Sequence, residues 1–325
     1  MTVPSAPDAD AGTRTGAREE PTVVPTAVGD LRAVVRTPAA APGPLPGVVL
    51  VDGSGDGDVD GWGGWPTWVA DAGAVVLRHD KPGCGGSPGR WTDQTLEDRA
   101  HESLAALRVL RAHAGTAGRP VGLYGVSQGG WVAMLAAAIA PDEVGFVVCH
   151  SGPGTTPARQ ERYRVATALR AAGHDDATVA AGLAWLDRRT ALLRDGVPVD
   201  DVLAEQARHA GAPWAGPVLD GYDDPAVLGF VAGVLDVDPA DVLPRLRCPV
   251  LALLGGADPV VPVPESVRAF AEHLPPDPRH GLAVLPGADH GLFLSGPVPG
   301  VPRRDQLAPA YLPTLTAFLV DRRAG

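Results

Sequence analysis

Short apolar runs bounded by Gly, Pro and Asp recur along the chain, and between them stand longer stretches whose leucines and alanines return at helical spacing. The runs are Val34-Val35, Gly47 to Val51, Ala74 to Leu77, Val121 to Tyr124, Val144 to Cys149, Pro249 to Leu254 and Gly281 to Leu285. Near-continuous Val/Leu runs suit parallel strands buried on both faces. Residues 95–113 carry Leu96, Leu104, Leu107 and Leu110 at helical spacing, with Thr95 and Asp98 as capping-box partners. Further helices are predicted over 128–140, 265–273 and 308–322. The alternation predicts an α/β protein with a doubly wound, mostly parallel sheet.

From about Thr155 to Leu243 the strand pattern stops. Ala/Leu/Arg/Asp-rich helical segments, broken at Gly173, Gly196-Val197-Pro198, Gly211-Ala212-Pro213 and Gly216-Pro217, take its place. The expected organisation is therefore a disordered tail over 1–21, a core formed by 22–154 and 244–325, and an inserted helical lid over 155–243. The tail holds Pro, Asp, Thr, Ala and Glu without an apolar segment of the kind a signal peptide needs.

At 325 residues the chain is long enough to bury one large core. Its formal net charge of -11 argues against a nucleic-acid partner, because phosphate binding draws on clustered Lys and Arg. No apolar run approaches the roughly 18 residues of a membrane span, so no membrane partner is expected. Cys84, Cys149 and Cys248 are odd in number and widely spaced, the pattern of free thiols in a reducing compartment. A cytoplasmic location is expected by default. The pattern carries no signal for oligomeric state.

The candidate chemistry begins at Val121-Gly122-Leu123-Tyr124-Gly125-Val126-Ser127-Gln128-Gly129-Gly130, where a strand meets Gly-x-Ser-x-Gly and then an Ala-rich helix. Such a nucleophile elbow places Ser127 at the tip of a tight turn, with Gly125 and Gly129 needed where a side chain would collide. The N-terminal N–H groups of the following helix favour an anion forming beside the serine. A serine hydroxyl needs a base, and the base needs an acceptor to hold its tautomer. His290, in the loop Leu285 to Gly291 after the last predicted strand, is the expected base; His101, His113, His174, His209 and His273 lie within predicted helices or at their ends, and His280 opens a strand. Asp258, in the Gly-rich turn after Pro249 to Leu254, is the expected acid. The preceding strand's loop, His150-Ser151-Gly152, offers no carboxylate, and Asp289 is too near His290 in the chain to face it.

Two backbone N–H groups should bind the oxyanion. Gln128, directly after the nucleophile, is one. Ser54, in the glycine-rich loop Asp52 to Gly57, is the other. In that loop Asp56, Asp58 and Asp60 match the first half of a calcium loop, but its twelfth position is Thr67 where a bidentate Glu is required. The glycines of Asp80 to Ser87 lack a phosphate loop's Gly-Lys-Ser/Thr ending. No metal and no cofactor are expected.

These motifs together resemble the α/β-hydrolase superfamily over about Val23 to Leu319. The likeness rests on Asp52-Gly53-Ser54-Gly55, Asp80 to Ser87, Gly125 to Gly129, Asp258 and His290 in order. Within it, the chain is similar to lidded bacterial serine esterases and acyl hydrolases of the dienelactone-hydrolase and prolyl-oligopeptidase-like branches. The resemblance implies hydrolysis of an ester, lactone or thioester of a small acyl substrate through an acyl-enzyme. Serine at the elbow excludes the haloalkane dehalogenases and epoxide hydrolases, which need a carboxylate there. The sequence departs from the usual His-Gly at the oxyanion loop by carrying Asp52-Gly53. A carboxylate facing the site would oppose the forming negative charge; turned away, it would bond its own loop. Asp52, His150, Ser151, Trp185 and Trp214 are the candidate substrate-binding residues, with Tyr163, Tyr222 and Phe230 as further lid aromatics; for each of the five aromatics lid core is the more ordinary reading, and His150 and Ser151, at the strand edge, are the better candidates for the pocket wall. Three other readings stand beside hydrolysis: acyl transfer or cyclisation in specialised metabolism, an aminopeptidase using Glu161 or Glu205, and a non-catalytic ligand-binding protein.

Overall fold

The computed structural model describes residues 16–39 and 43–323. Its strands are β1 (Arg18–Thr26), β2 (Gly29–Thr37), β3 (Gly47–Val51), β4 (Val75–His79), β5 (Val121–Val126), β6 (Val147–His150), β7 (Val250–Gly255) and β8 (Gly281–Leu285). The helices are α1 (Trp65–Asp71), α2 (Leu96–Arg111), α3 (Gln128–Ile139), α4 (Pro157–Ala171), α5 (Asp176–Arg194), α6 (Val199–Ala207), α7 (Ala215–Leu219), α8 (Pro225–Val234), α9 (Pro239–Val242), α10 (Val263–His273) and α11 (Tyr311–Asp321).

All eight strands lie in one sheet, in the order β1-β2-β4-β3-β5-β6-β7-β8. β1 pairs antiparallel with β2, and β2 with β4; every later pairing is parallel. Successive side chains of a strand point to opposite faces. Val49 and Val51 accordingly join the core beneath α2 and α3, while Val48 and Leu50 join the one beneath α1 and α11. This two-sided burial is why the central strands read as unbroken apolar runs. The predicted capping box at the start of α2 is present: Thr95 Oγ1 accepts from the Asp98 N–H at 3.0 Å, and Asp98 Oδ2 accepts from the Thr95 N–H at 2.8 Å.

The sheet reverses its winding between β3 and β5, which are neighbours with Val51 opposite Gly125. Their C-terminal ends form the switch point where open α/β sheets place ligands. The Asp52 loop and the Ser127 elbow are adjacent for this reason.

Two expectations are corrected. Residues 1–15 of the predicted tail lie outside the described residues, but Arg18 to Pro21 form the start of β1, with Arg18 opposite Thr37. Glu19, also in β1, pairs with Arg36 and Arg78. An edge strand tolerates Pro21 and Pro25, because one side of its backbone has no partner to lose, and those prolines and charges hid it from the apolar pattern. The short α1 was also missed. Between β6 and β7 the chain is helical, α4 to α9, and builds its own apolar clusters. One joins Val165, Leu169, Trp185, Leu186, Trp214 and Val218, and another joins Leu192, Leu193, Val202, Leu228 and Leu235.

Candidate active site

Ser127 stands between β5 and α3 with φ 52° and ψ -119°, a strained conformation for a residue with a side chain. Its own N–H donates to the His150 carbonyl at 2.9 Å, and its carbonyl accepts from the Gly130 N–H at 2.8 Å. The motif's glycines are required by close backbone approach. A Cβ on Gly125 would lie 2.1 Å from the Gly129 carbonyl oxygen, and one on Gly129 would lie 2.2 Å from that of Val51. Gln128 opens α3, so its N–H belongs to the turn of donors without intrahelical acceptors.

Asp258 and His290 meet across two loops. Asp258 is 3 % exposed, and its Oδ2 lies 2.8 Å from His290 Nδ1. Its Oδ1 accepts from the Val260 and Val261 N–H groups at 2.7 and 2.9 Å, which fixes the carboxylate's direction. A carboxylate only accepts, so Nδ1 carries the proton and His290 Nε2 is left with its lone pair. The loops are locked to each other by backbone bonds from Gly256 to Leu285 and from Ala257 to Ala288, both 2.8 Å. Asp289 faces elsewhere: its Oδ1 accepts from the Phe293 N–H at 2.9 Å.

The Asp52 loop lies beside the elbow. A Cβ on Gly53 would sit 3.6 Å from Ser127 Cβ. Asp52 turns its carboxylate into its own loop: Oδ1 accepts from the Gly53 N–H at 2.7 Å, and Oδ2 lies so close over Gly57 that a Cβ there would come within 1.9 Å. Each aspartate of the calcium-like stretch has a separate protein partner. Asp56 accepts from Trp91 Nε1 at 2.6 Å, Asp58 from the Asp60 and Gly61 N–H groups, and Asp60 pairs with Arg32 at 2.6 Å. Among the described residues no group of three or more His, Cys, Asp or Glu is placed to hold a metal. The glycine-rich Asp80 to Ser87 segment is a structural turn whose buried Asp80 accepts from the Val59 N–H and Ser87 Oγ.

The remaining candidates are mostly interior. His150 and Ser151 are buried at the end of β6. His150 Nδ1 lies 2.6 Å from the Tyr124 hydroxyl, which lies 2.6 Å from that of Tyr311. Burial and the neighbouring His290 push the His150 pKa down to about 3, against the raising effect of the His290 backbone. Trp185 and Trp214 belong to the helical insertion's own cluster, on either side of His209. Tyr163 of α4 reaches a site loop by donating to the Asp258 carbonyl at 3.2 Å, and Phe230 of α8 packs on Trp91, ring centroids 5.2 Å apart. Two long cations escaped the sequence reading. Lys81 and Arg99 are buried under the Asp52 loop, and Arg99 Nη1 reaches Gln128 Oε1 at 2.5 Å. The signal was there for Arg99, which occupies a position on the apolar face of α2 between Leu96 and Ser103.

Solved structures share this architecture. Est1E from Butyrivibrio proteoclasticus, determined with ferulic acid bound, is 18 % identical, with 94 % of this chain and 100 % of that one covered at a TM-score of 0.58. The proline iminopeptidase of Mycobacterium smegmatis is 21 % identical over 93 % and 98 % of the two chains, TM-score 0.56. The α/β hydrolase GrgF from Penicillium sp. sh18 is 17 % identical over 95 % and 100 %, TM-score 0.61. At such identities the likeness establishes the fold. A comparison with curated proteins finds no match. A sequence model of the α/β hydrolase family matches residues 45–301, from before β3 to beyond His290, and the chain belongs to that family.

Proposed function

We propose that the chain is a serine hydrolase that cleaves an ester, lactone or thioester through an acyl-enzyme. The observation that carries this reading is the 2.8 Å contact of buried Asp258 with His290 Nδ1, at the sheet edge where Ser127 stands on its strained elbow. His290 Nε2 takes the Ser127 proton as Oγ attacks the carbonyl. Asp258 holds the ring and stabilises the imidazolium that forms. The Ser54 and Gln128 amides bind the oxyanion, a service worth about 10²–10³ in kcat per donor by analogy with a side-chain donor. His290 then returns the proton to the leaving group, and water repeats the cycle on the acyl-enzyme.

The helices between β6 and β7 act as the lid in this reading. α4 touches the acid's loop through Tyr163, and α8 touches Trp91 through Phe230. An aminopeptidase would need a free carboxylate to bind an amino terminus. Glu161 is engaged by Arg164 at 2.6 Å and Glu205 by Arg188 at 3.3 Å, so neither candidate is free for that role. Ester hydrolysis is therefore preferred. The test is a fluorophosphonate probe on wild type and Ser127→Ala, followed by p-nitrophenyl esters of increasing chain length. Labelling that depends on Ser127, with ester turnover, is expected. An unlabelled wild type overturns the nucleophile assignment, and labelling without turnover redirects the reading to acyl transfer.

A further inference from the structure

Lys81 and Arg99, 2 % and 3 % exposed, have no part in the mechanism above. Burying an ammonium and a guanidinium is costly unless each finds acceptors. Theirs are the carbonyls of the loop that follows β3. Arg99 Nη2 donates to the Asp52 carbonyl at 2.8 Å, and Nη1 donates to Gln128 Oε1 at 2.5 Å and to the Gly53 carbonyl at 3.4 Å. Lys81 Nζ donates to the Gly53 carbonyl at 2.6 Å and to that of Gly55 at 2.5 Å.

In a trans peptide the C=O and the following N–H point in opposite directions. A Gly53 carbonyl drawn toward both cations therefore aims the Ser54 N–H away from them. Among the described residues that N–H meets no protein acceptor, whereas the Gly53 N–H is occupied by Asp52 Oδ1. Arg99 also spans from this loop to Gln128, the residue whose N–H is the second expected donor. Asp52, the departure from the usual His-Gly, supplies a carboxylate whose charge favours both cations.

We propose that Lys81 and Arg99 are the positioning residues of the oxyanion hole, clamping the Asp52, Gly53 and Gly55 carbonyls and the Gln128 side chain so that the Ser54 and Gln128 amides stand preorganised. The inference rests on the serine-hydrolase reading. Preorganised donors act on the transition state more than on the bound substrate, so their loss appears in kcat. Lys81 adds a pH readout. Burial and Arg99 lower its pKa to about 8, while Asp52, Cys84 and Glu102 oppose that shift, and the Trp91 ring lies over it at 6.0 Å. Its charge, and with it part of the clamp, is lost as pH rises through that value.

The experiment compares wild type with Ser127→Ala, Lys81→Met, Arg99→Met and Arg99→Lys. It measures fluorophosphonate labelling, kcat and KM on a p-nitrophenyl ester from pH 6 to 10, affinity for a trifluoromethyl ketone, and thermal unfolding. Ser127-dependent labelling of wild type establishes the underlying reading independently; its absence overturns both. With labelling in place, Lys81→Met and Arg99→Met are expected to lower kcat by about 10²-fold and move KM by less than about threefold. Ketone affinity should fall in step, Arg99→Lys should recover part of the loss, and the decline above pH 8 should vanish in Lys81→Met. Should Arg99→Met not fold, Lys81→Met and Arg99→Lys carry the same comparison. An unchanged kcat in folded variants, or ketone affinity that does not follow kcat/KM, overturns the proposal.

Discussion

His150 is placed where taking up a proton is costly, and acidification should make that cost visible as lost stability. The side chain is 1 % exposed, sits edge-on to Trp65 with ring centroids 4.7 Å apart, and meets the Tyr124 hydroxyl at 2.6 Å. A neutral ring can accept the Tyr124 proton at Nδ1; an imidazolium would lose that acceptor and stand beside His290. Its pKa is accordingly lowered from 6.5 to about 3 by burial first and by His290 second. The folded state thus binds fewer protons than the unfolded state between these values, so stability falls as pH drops from 6.5 toward 3 and the loss is complete below the lower value. Between pH 7 and pH 5 the linkage amounts to about 2 kcal/mol. Urea unfolding of wild type and His150→Gln at pH 7, 6 and 5 measures it, because the variant removes the titrating group and keeps a polar side chain. Wild type should lose about 2 kcal/mol more than the variant over that range. Parallel pH dependences would refute the reasoning.

Two further outcomes are expected at the site. Asp258→Asn should lower kcat by about 10⁴-fold in ester turnover, because an amide holds the wrong His290 tautomer; a loss under tenfold would contradict the assigned role. Gly129→Ala places a Cβ about 2.2 Å from the Val51 carbonyl oxygen, so the elbow must shift. Ser127 labelling should then slow by about 10²-fold or more, as expected for misplaced reacting groups, and labelling at the wild-type rate would show that the turn does not need glycine there.

Much of the site was legible along the chain because its constraints are local. A strand, a turn that admits no Cβ at Gly125 or Gly129, and a helix whose first amides are unpaired are all written within the segment from Val121 to Ile139. Asp258 and His290 were legible by order, each in the loop after a strand of a parallel sheet, and a parallel sheet delivers such loops to one edge. β1 was hidden because an edge strand needs no continuous apolar run. The helical aromatics between β6 and β7 were legible as helix positions only: periodicity marks a buried face without saying whether it is buried against neighbouring helices, as for Trp185, or against a site loop, as for Tyr163.

The sequence by itself determined the sheet's mostly parallel character, the strand-turn-helix around Ser127, and the strand-end loops that carry Asp258 and His290. These follow from short-range sterics and from apolar runs, which in the central strands match burial on both faces. Tertiary structure alone decided which way Asp52 turns, that His150 is neutral and interior, and that Lys81 and Arg99 are buried under the loop beside Ser127. Each of those outcomes depends on which carbonyls, hydroxyls and charges the fold brings within hydrogen-bond reach of a long or polar side chain. The Asp52 carbonyl and Arg99 stand far apart in sequence and 2.8 Å apart in space, and no local pattern encodes that approach.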